Sequence, residues 1–159
     1  MIEGVVIKKL IVRNDIPDAH QPGVVPGFLM EILRDDDKLL RRFGQTTMTV
    51  AHEGVIKAFH WHRRQDDLWF VATGKARVVL HDNRKKSKTF GKTQTLTAGA
   101  NDYKLILIPR GVVHGYQVLS PEPVMLFYHT TESYKPAAPD EQRILFDDPK
   151  IGFDWSVSH

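Results

Sequence analysis

Apolar residues along this chain alternate with polar ones far more often than they recur at every third or fourth position. That is the pattern of half-buried strands rather than of amphipathic helices. Val5 to Val12, Gln45 to Val50, Leu68 to Thr73 and Ala76 to His81 read as short strands. Leu105 to Ile108, Gly115 to Leu119 and Val124 to His129 do the same. Turn chemistry separates them: Thr73-Gly74-Lys75, the polar stretch Asp82 to Lys88, Ala98 to Asp102 and Pro109-Arg110-Gly111. Many short strands punctuated in this way predict an all-β sandwich, jelly roll or barrel with little helix. Leu29 to Phe43 is the one stretch that could hold a helix, and its beginning reads equally well as a strand. Ser133 to Pro139 reads as a connector leading to a short C-terminal piece.

The length of 159 residues predicts one domain, residues 1–159, with room for a real core. Lys and Arg number 22 against 19 Asp and Glu, and a formal charge of +3 is too small and too dispersed to argue for nucleic acid. The absence of Cys excludes a disulfide framework, a thiolate metal site and a Cys nucleophile. Lys8 and Lys9 interrupt the apolar N-terminus, so it does not read as a signal peptide, and no apolar run approaches a membrane span. The expectation is a soluble, cytoplasmic protein.

Three of the eight His stand out. His60 and His62 lie two apart on a predicted strand, so both imidazoles leave the same face. His114 follows the turn Pro109-Arg110-Gly111 far along the chain. Imidazoles in such an arrangement serve either proton transfer or metal ligation. Gly54, His60, His62, Asp67 and Gly74 are spaced as in the first cupin motif, and Pro109-x-Gly111-x-x-His114 resembles the core of the second. The fold this implies is a cupin jelly-roll barrel or sandwich.

A second resemblance covers most of the chain. Gly54-Val-Ile-Lys-Ala-Phe-His60 resembles the G-V-x-R-G-x-H segment of the dTDP-4-dehydrorhamnose 3,5-epimerase family, and Lys88-Thr-Phe-Gly91 resembles its S-P-T-F-G turn. Ile108 to Ser120 is similar to its I-P-x-G-F-A-H-G-F-x-V-L-S run. Tyr128-His-Thr-Thr-Glu-Ser-Tyr134 resembles Y-x-T-T-x-x-Y, and Asp147 to Trp155 resembles the closing D-D-P-x-I-x-I-x-W. The activity this implies is epimerisation of a nucleotide-linked 4-keto-6-deoxy sugar, at C3, C5 or both, without a cofactor and in a homodimer. A 4-keto group acidifies its neighbouring C–H bonds, so one base can form an enolate that is reprotonated from the opposite face. The resemblance assigns His60 as base, Asp148 as the carboxylate that orients it, and Tyr128 as acid. Glu31, Gln45, Lys57, His114 and Tyr134 are the substrate-binding positions it implies.

The chain also departs from the family. Lys57 stands in place of Arg, Pro26 in place of the Arg that grips the diphosphate, and Leu29 in place of an aromatic. Asp67 occupies the position of the Lys that stabilises the enolate oxygen; Lys57, Arg63 and Arg64 are nearby cations that could replace it. With His62 where the family usually has Gln, a second set emerges: His60, His62, Asp67 and His114 as ligands of one divalent transition metal. Such a site would make the protein a metal-dependent sugar isomerase, with Gln65 as a neighbour of the ligands. A third alternative is a sugar-nucleotide-binding module without catalysis. Arg84 to Lys88 reads as a solvated hairpin tip, Phe70 as core, and Trp61 and Trp69 as rings that could stack on a sugar or base. Val5 to Val12 would be a hazardous bare edge strand, which a dimer would bury.

Overall fold

The computed structural model describes residues 1–17 and 19–156. In chain order the strands are β1 (Val6–Lys9), β2 (Arg13–Asn14), β3 (Phe28–Leu29), β4 (Gln45–Ala51), β5 (Ile56–His62) and β6 (Asp67–Thr73). They continue with β7 (Lys75–Asp82), β8 (Thr93–Gly99), β9 (Lys104–Ile108), β10 (Val112–Val118), β11 (Val124–Thr130) and β12 (Glu141–Arg143). The only helical element among the described residues is a 3-10 turn at Asp35–Asp37. The all-β expectation therefore holds.

Two five-stranded antiparallel sheets form a sandwich. One has the order β1-β9-β6-β11-β4 and the other β12-β5-β10-β7-β8. Their facing sides bury Trp69, Val71, Val78, Leu80, Ile106, Val112 and Leu126. The side chains alternate as the two-residue period requires: Asp67, Trp69 and Val71 face inward while Leu68 and Phe70 face outward. The outer faces are covered too. Met30, Ile32, Leu33, Leu39 and Leu40 lie over Leu68 and Phe70, and Ile144, Ile151, Phe153 and Trp155 lie over Phe59, Val79 and Val113. This double coverage makes Asp67 to Val71 continuously buried, a run normally seen where a sheet is covered on both faces.

Leu29 to Phe43 is neither a helix nor a long strand. After β3 it runs as an irregular cover whose apolar side chains insert into the outer face of the first sheet. Asp35, Asp36 and Asp37 in succession favour the turn over a continuing helix. The strand expected at Val5 to Val12 is shorter, because Ile2, Val5 and Leu10 turn into apolar clusters around it. β1 does lie at a sheet edge.

The segment after β7 is not the solvated tip expected from its charges. Asp82 is fully buried at the end of β7. It accepts Arg84 Nε–H at 2.8 Å and the hydroxyls of Ser87 and Thr89, each at 2.6 Å. Arg84 and Ser87 also reach Glu3, tying the loop to the N-terminus. Burial opposes ionisation of Asp82, but these bonds outweigh it and hold the carboxyl well below the usual carboxylate range.

The pairing of β5 with β10 positions the site. His114 sits opposite His60, whereas Tyr116 sits opposite Lys57. Two steps along β10 therefore match three along β5, so β5 carries one extra residue at Ala58–Phe59. Lys57 and His60 would otherwise point to opposite faces; the bulge turns both into the sandwich. Gly115 lies across from the bulge, where an added Cβ would stand 2.4 Å from Ala58 Cβ and 2.7 Å from Ala58 Cα. No other side chain fits that approach.

Two stability predictions follow from this geometry. Gly115→Ala forces β5 and β10 apart and lowers stability by about 1–3 kcal/mol, as overpacking does; an unchanged urea midpoint would show that the strands separate freely. Asp82→Asn loses about 2 kcal/mol at neutral pH through weaker hydrogen bonds to a once-charged group. Because the folded-state pKa of Asp82 is depressed, its contribution is complete above the unfolded value of 3.8 and fades as pH falls below it. Urea melts of wild type and variant should converge in acid; a gap that widened there would refute the assignment.

Candidate functional site

Residues of both sheets line a cavity of about 990 Å³. β5 supplies Lys57, His60 and His62, β10 supplies Tyr116, and β12 with the residues after it supplies Glu141, Arg143, Ile144, Leu145 and Phe146. From the opposite sheet come Gln45, Thr47 and Thr49 of β4, Asp67 and Trp69 of β6, and Leu126 and Tyr128 of β11. Tyr134 closes one side, its backbone N–H donating to Gln45 Oε1 at 2.7 Å.

At the floor three imidazoles gather around one carboxylate. His114 is buried behind His60, their ring centroids 4.1 Å apart in an edge arrangement. His114 Nδ1–H donates to the Val112 carbonyl at 2.9 Å, which turns Nε2 toward Asp67. That Nε2 lies 3.5 Å from Asp67 Oδ2, and His62 Nε2 lies 3.8 Å from the same oxygen. Asp67 is 1% exposed. It accepts the Gln65 amide at 2.7 Å and the Trp69 indole N–H at 3.3 Å. The Gln65 amide nitrogen also lies 3.3 Å from His62 Nε2.

The electrostatics follow from burial. Desolvation, reinforced by His114, pushes the His60 imidazole far below its ordinary value, with the charge of Asp67 working against the shift. Desolvation lowers His62 in the same way. Burial would raise Asp67, but its contacts with His114 and the Gln65 amide prevail and hold the carboxyl well below the usual range. The floor is thus a buried carboxylate facing His60 and His62 rings held neutral at physiological pH. Across the cavity, burial and the negative charges of Asp67 and Glu141 raise the Tyr128 phenol above its ordinary value, so it is a proton donor there.

The sequence-derived site residues separate into three groups. His60, Tyr128, Gln45, Lys57 and Tyr134 all line the cavity. His114 was expected to touch substrate; at 2% exposed it sits beneath the lining and contacts His60 instead. Asp148 and Glu31 lie elsewhere. Asp148 belongs to the segment that covers the outer face of the second sheet, where it accepts the Lys150 N–H at 2.8 Å and acts electrostatically on His81. His60 faces the interior, so the carboxylate near it is Asp67. Glu31 pairs with Arg34 on the surface. Of the cations weighed as replacements for the missing Lys, only Lys57 lines the cavity, its Nζ donating to Thr49 Oγ1 at 2.6 Å and the Val50 carbonyl at 3.0 Å. Arg63 reaches Gln142 and Arg64 reaches Asp140.

Sequence reading missed Arg143, which reaches the cavity because β12 pairs with β5 and sets Arg143 opposite His60. Three polar residues after a Pro-rich connector carry no alternation that marks a strand. A smaller hollow of about 330 Å³ adjoins the cavity through His62, Gln65, Tyr134 and Glu141. It is lined by Arg41, Arg42, Arg64, Arg110 and Lys135 against Glu132, Asp140 and Glu141.

Comparison with known proteins gives a consistent result. Residues 24–159 match the family model described as dTDP-4-dehydrorhamnose 3,5-epimerase. The chain is 49% identical over 157 residues to the spore coat polysaccharide biosynthesis protein SpsL of Bacillus subtilis, covering 99% of this chain and 98% of that one. It is 30% identical to dTDP-4-dehydrorhamnose 3,5-epimerase of Salmonella typhimurium, over 94% of this chain and 87% of that one. Among solved structures, the dTDP-6-deoxy-D-glucose-3,5-epimerase of Legionella pneumophila, in complex with dTDP-4-keto-L-rhamnose, superimposes with a TM-score of 0.81. That match is at 25% identity over 99% of this chain and 81% of that one.

The His114 tautomer is directly measurable. Long-range ¹H–¹⁵N NMR should place its proton on Nδ1, facing the Val112 carbonyl; a proton found on Nε2 would mean that the Asp67 contact, not the backbone, orients the ring.

Proposed function

Because the chain belongs to the dTDP-4-dehydrorhamnose 3,5-epimerase family, we propose that it epimerises a nucleotide-linked 4-keto-6-deoxy sugar at carbon next to the keto group, in deoxysugar biosynthesis. The observation that carries the reading is the opposition of His60 on β5 and Tyr128 on β11, from different sheets, across one cavity. Inversion needs a base on one face of the sugar and an acid on the other, and a single strand cannot supply both.

In this reading His60 removes the proton. Burial keeps its nitrogen free to accept, and the imidazolium that forms is stabilised by Asp67, which takes the part the resemblance had given to Asp148. Tyr128 returns a proton to the opposite face of the enolate. Lys57 is the cation available for the enolate oxygen. The diphosphate fits the basic hollow beside the cavity, where five basic side chains face three acidic ones. Arg143 adds a further cation at the cavity wall. A homodimer belongs to the same reading. It is supported by β1 at an open sheet edge and by the exposed Ile11, Ile16, Val25, Phe28 and Leu29 near it in sequence.

The test is solvent exchange into dTDP-4-keto-6-deoxyglucose in D₂O, followed by NMR. The wild type should place deuterium at C3, C5 or both and yield the inverted sugar. Tyr128→Phe should still wash out the proton but slow inversion by about 10²–10⁴-fold, the range of one acid–base group, and His60→Ala should lose both. Absence of exchange in a folded wild type would overturn the reading and leave a binding module. Normal inversion by Tyr128→Phe would remove Tyr128 from the acid role.

A further inference from the structure

At the cavity floor a carboxylate oxygen and two imidazole nitrogens converge, each nitrogen within 3.8 Å of the oxygen. The Nδ1–H bond to the Val112 carbonyl turns His114 Nε2 toward Asp67 Oδ2, 3.5 Å away. His62 Nε2 faces the same oxygen at 3.8 Å. His114 Nε2 and His62 Nδ1 are buried and have no hydrogen-bond partner among the described residues. Of the two, His114 Nε2 faces Asp67 and is the nitrogen that an ion bound there would satisfy; left orphaned it is costly. Donor atoms of His60, His62, Asp67 and His114 all lie within 4.8 Å of one another. Ligands at about 2.0–2.1 Å from a tetrahedral ion stand about 3.4 Å apart. The Asp67 to His114 spacing already matches that value, the Asp67 to His62 spacing is close, and modest side-chain rotation brings in the rest.

We propose that His60, His62, Asp67 and His114 bind one divalent transition-metal ion, and that the bound ion takes the His60 nitrogen needed for proton abstraction. Three imidazoles and one carboxylate form a borderline donor set that selects Zn, Fe, Co, Ni or Mn over Ca or Mg. Asp67 supplies the negative charge, and Gln65, bonded to Asp67 Oδ1, holds that carboxylate with Oδ2 toward the imidazoles. The position opens into the cavity at His60 and His62, so an ion has a route of entry. The consequence rests on the epimerase reading, whereas the site itself does not. One lone pair cannot both coordinate a metal and accept a proton, so the metal-loaded protein is held out of the exchange reaction.

The experiment uses the full-length, untagged protein treated with chelator and then titrated with Co²⁺, read by visible d–d absorption and, after desalting, by elemental mass spectrometry. One equivalent should bind to the wild type. His62→Gln, which keeps an amide in place of the ring, should bind more weakly by well over the roughly 10–100-fold that loss of a mere outer partner causes. Solvent exchange into the 4-keto sugar nucleotide should fall in the wild type as Co²⁺ occupancy rises, while the ratio of loaded to stripped rates stays near one in His62→Gln. Absence of stoichiometric binding overturns the site. Equally tight binding by a folded His62→Gln does the same. Stoichiometric binding with undiminished exchange overturns the claim on His60. If the protein shows no exchange under any condition, the epimerase reading fails while the absorption titration still decides the metal site.

Discussion

One extra residue in β5, opposite Gly115, is the constraint on which the interior of this protein depends. In a regular antiparallel pair the side chains of Lys57 and His60, three apart, would leave opposite faces of the sheet. The bulge at Ala58–Phe59 lets Lys57 face Tyr116 and His60 face His114 within the same cavity. It also sends Phe59 outward, where Trp155 packs against it at 5.3 Å between ring centroids. The same irregularity therefore arms the cavity and anchors the C-terminal segment on the outside. Gly115 makes this possible by letting the Ala58 backbone approach closer than any Cβ would allow.

The second organising element is the charge on Asp67. A carboxylate 1% exposed would be neutral if desolvation alone decided its state. The Gln65 amide and the Trp69 indole N–H donate to it, and with His114 and His62 beside it they keep it ionised. In return Asp67 works against the desolvation that depresses His60 and His62. The four groups form one buried cluster whose donor atoms all lie within 4.8 Å of one another.

Much of this was legible in the sequence. The sequence pattern located β4, β6, β7, β9, β10 and β11: β4 alternates, whereas β6 and β9 are short apolar runs bounded by turn residues. β8 and β12 were less legible. Thr93 to Gly99 is mostly Thr, Gln and Gly with only Leu96 and Ala98 facing the core, and Glu141–Arg143 is wholly polar. Motif spacing found His60, His62, Asp67, His114 and Tyr128. It could not reveal the β5 bulge, since insertion of one residue into a ladder leaves no mark on composition. It also could not place Asp148. A residue far along the chain can return to either face of a sheet, and only the packing of Ile151, Phe153 and Trp155 on the outer side decides which.

His62 and Asp67 make physical sense only as a pair. Asp67 alone on the cavity floor would repel an enolate and lack partners for its charge. His62 alone would be a buried ring with no acceptor. Together, with Gln65 bonded to Asp67 and within reach of His62, they form a unit that neutralises its own charge. Among the described residues, the Lys and Arg side chains that line the cavity are Lys57 and Arg143. Lys57 is there because of the bulge, and Arg143 because β12 pairs with β5. The cations of Lys57 and Arg143 and the buried carboxylate of Asp67 thus share one cavity with the opposed imidazole of His60 and phenol of Tyr128.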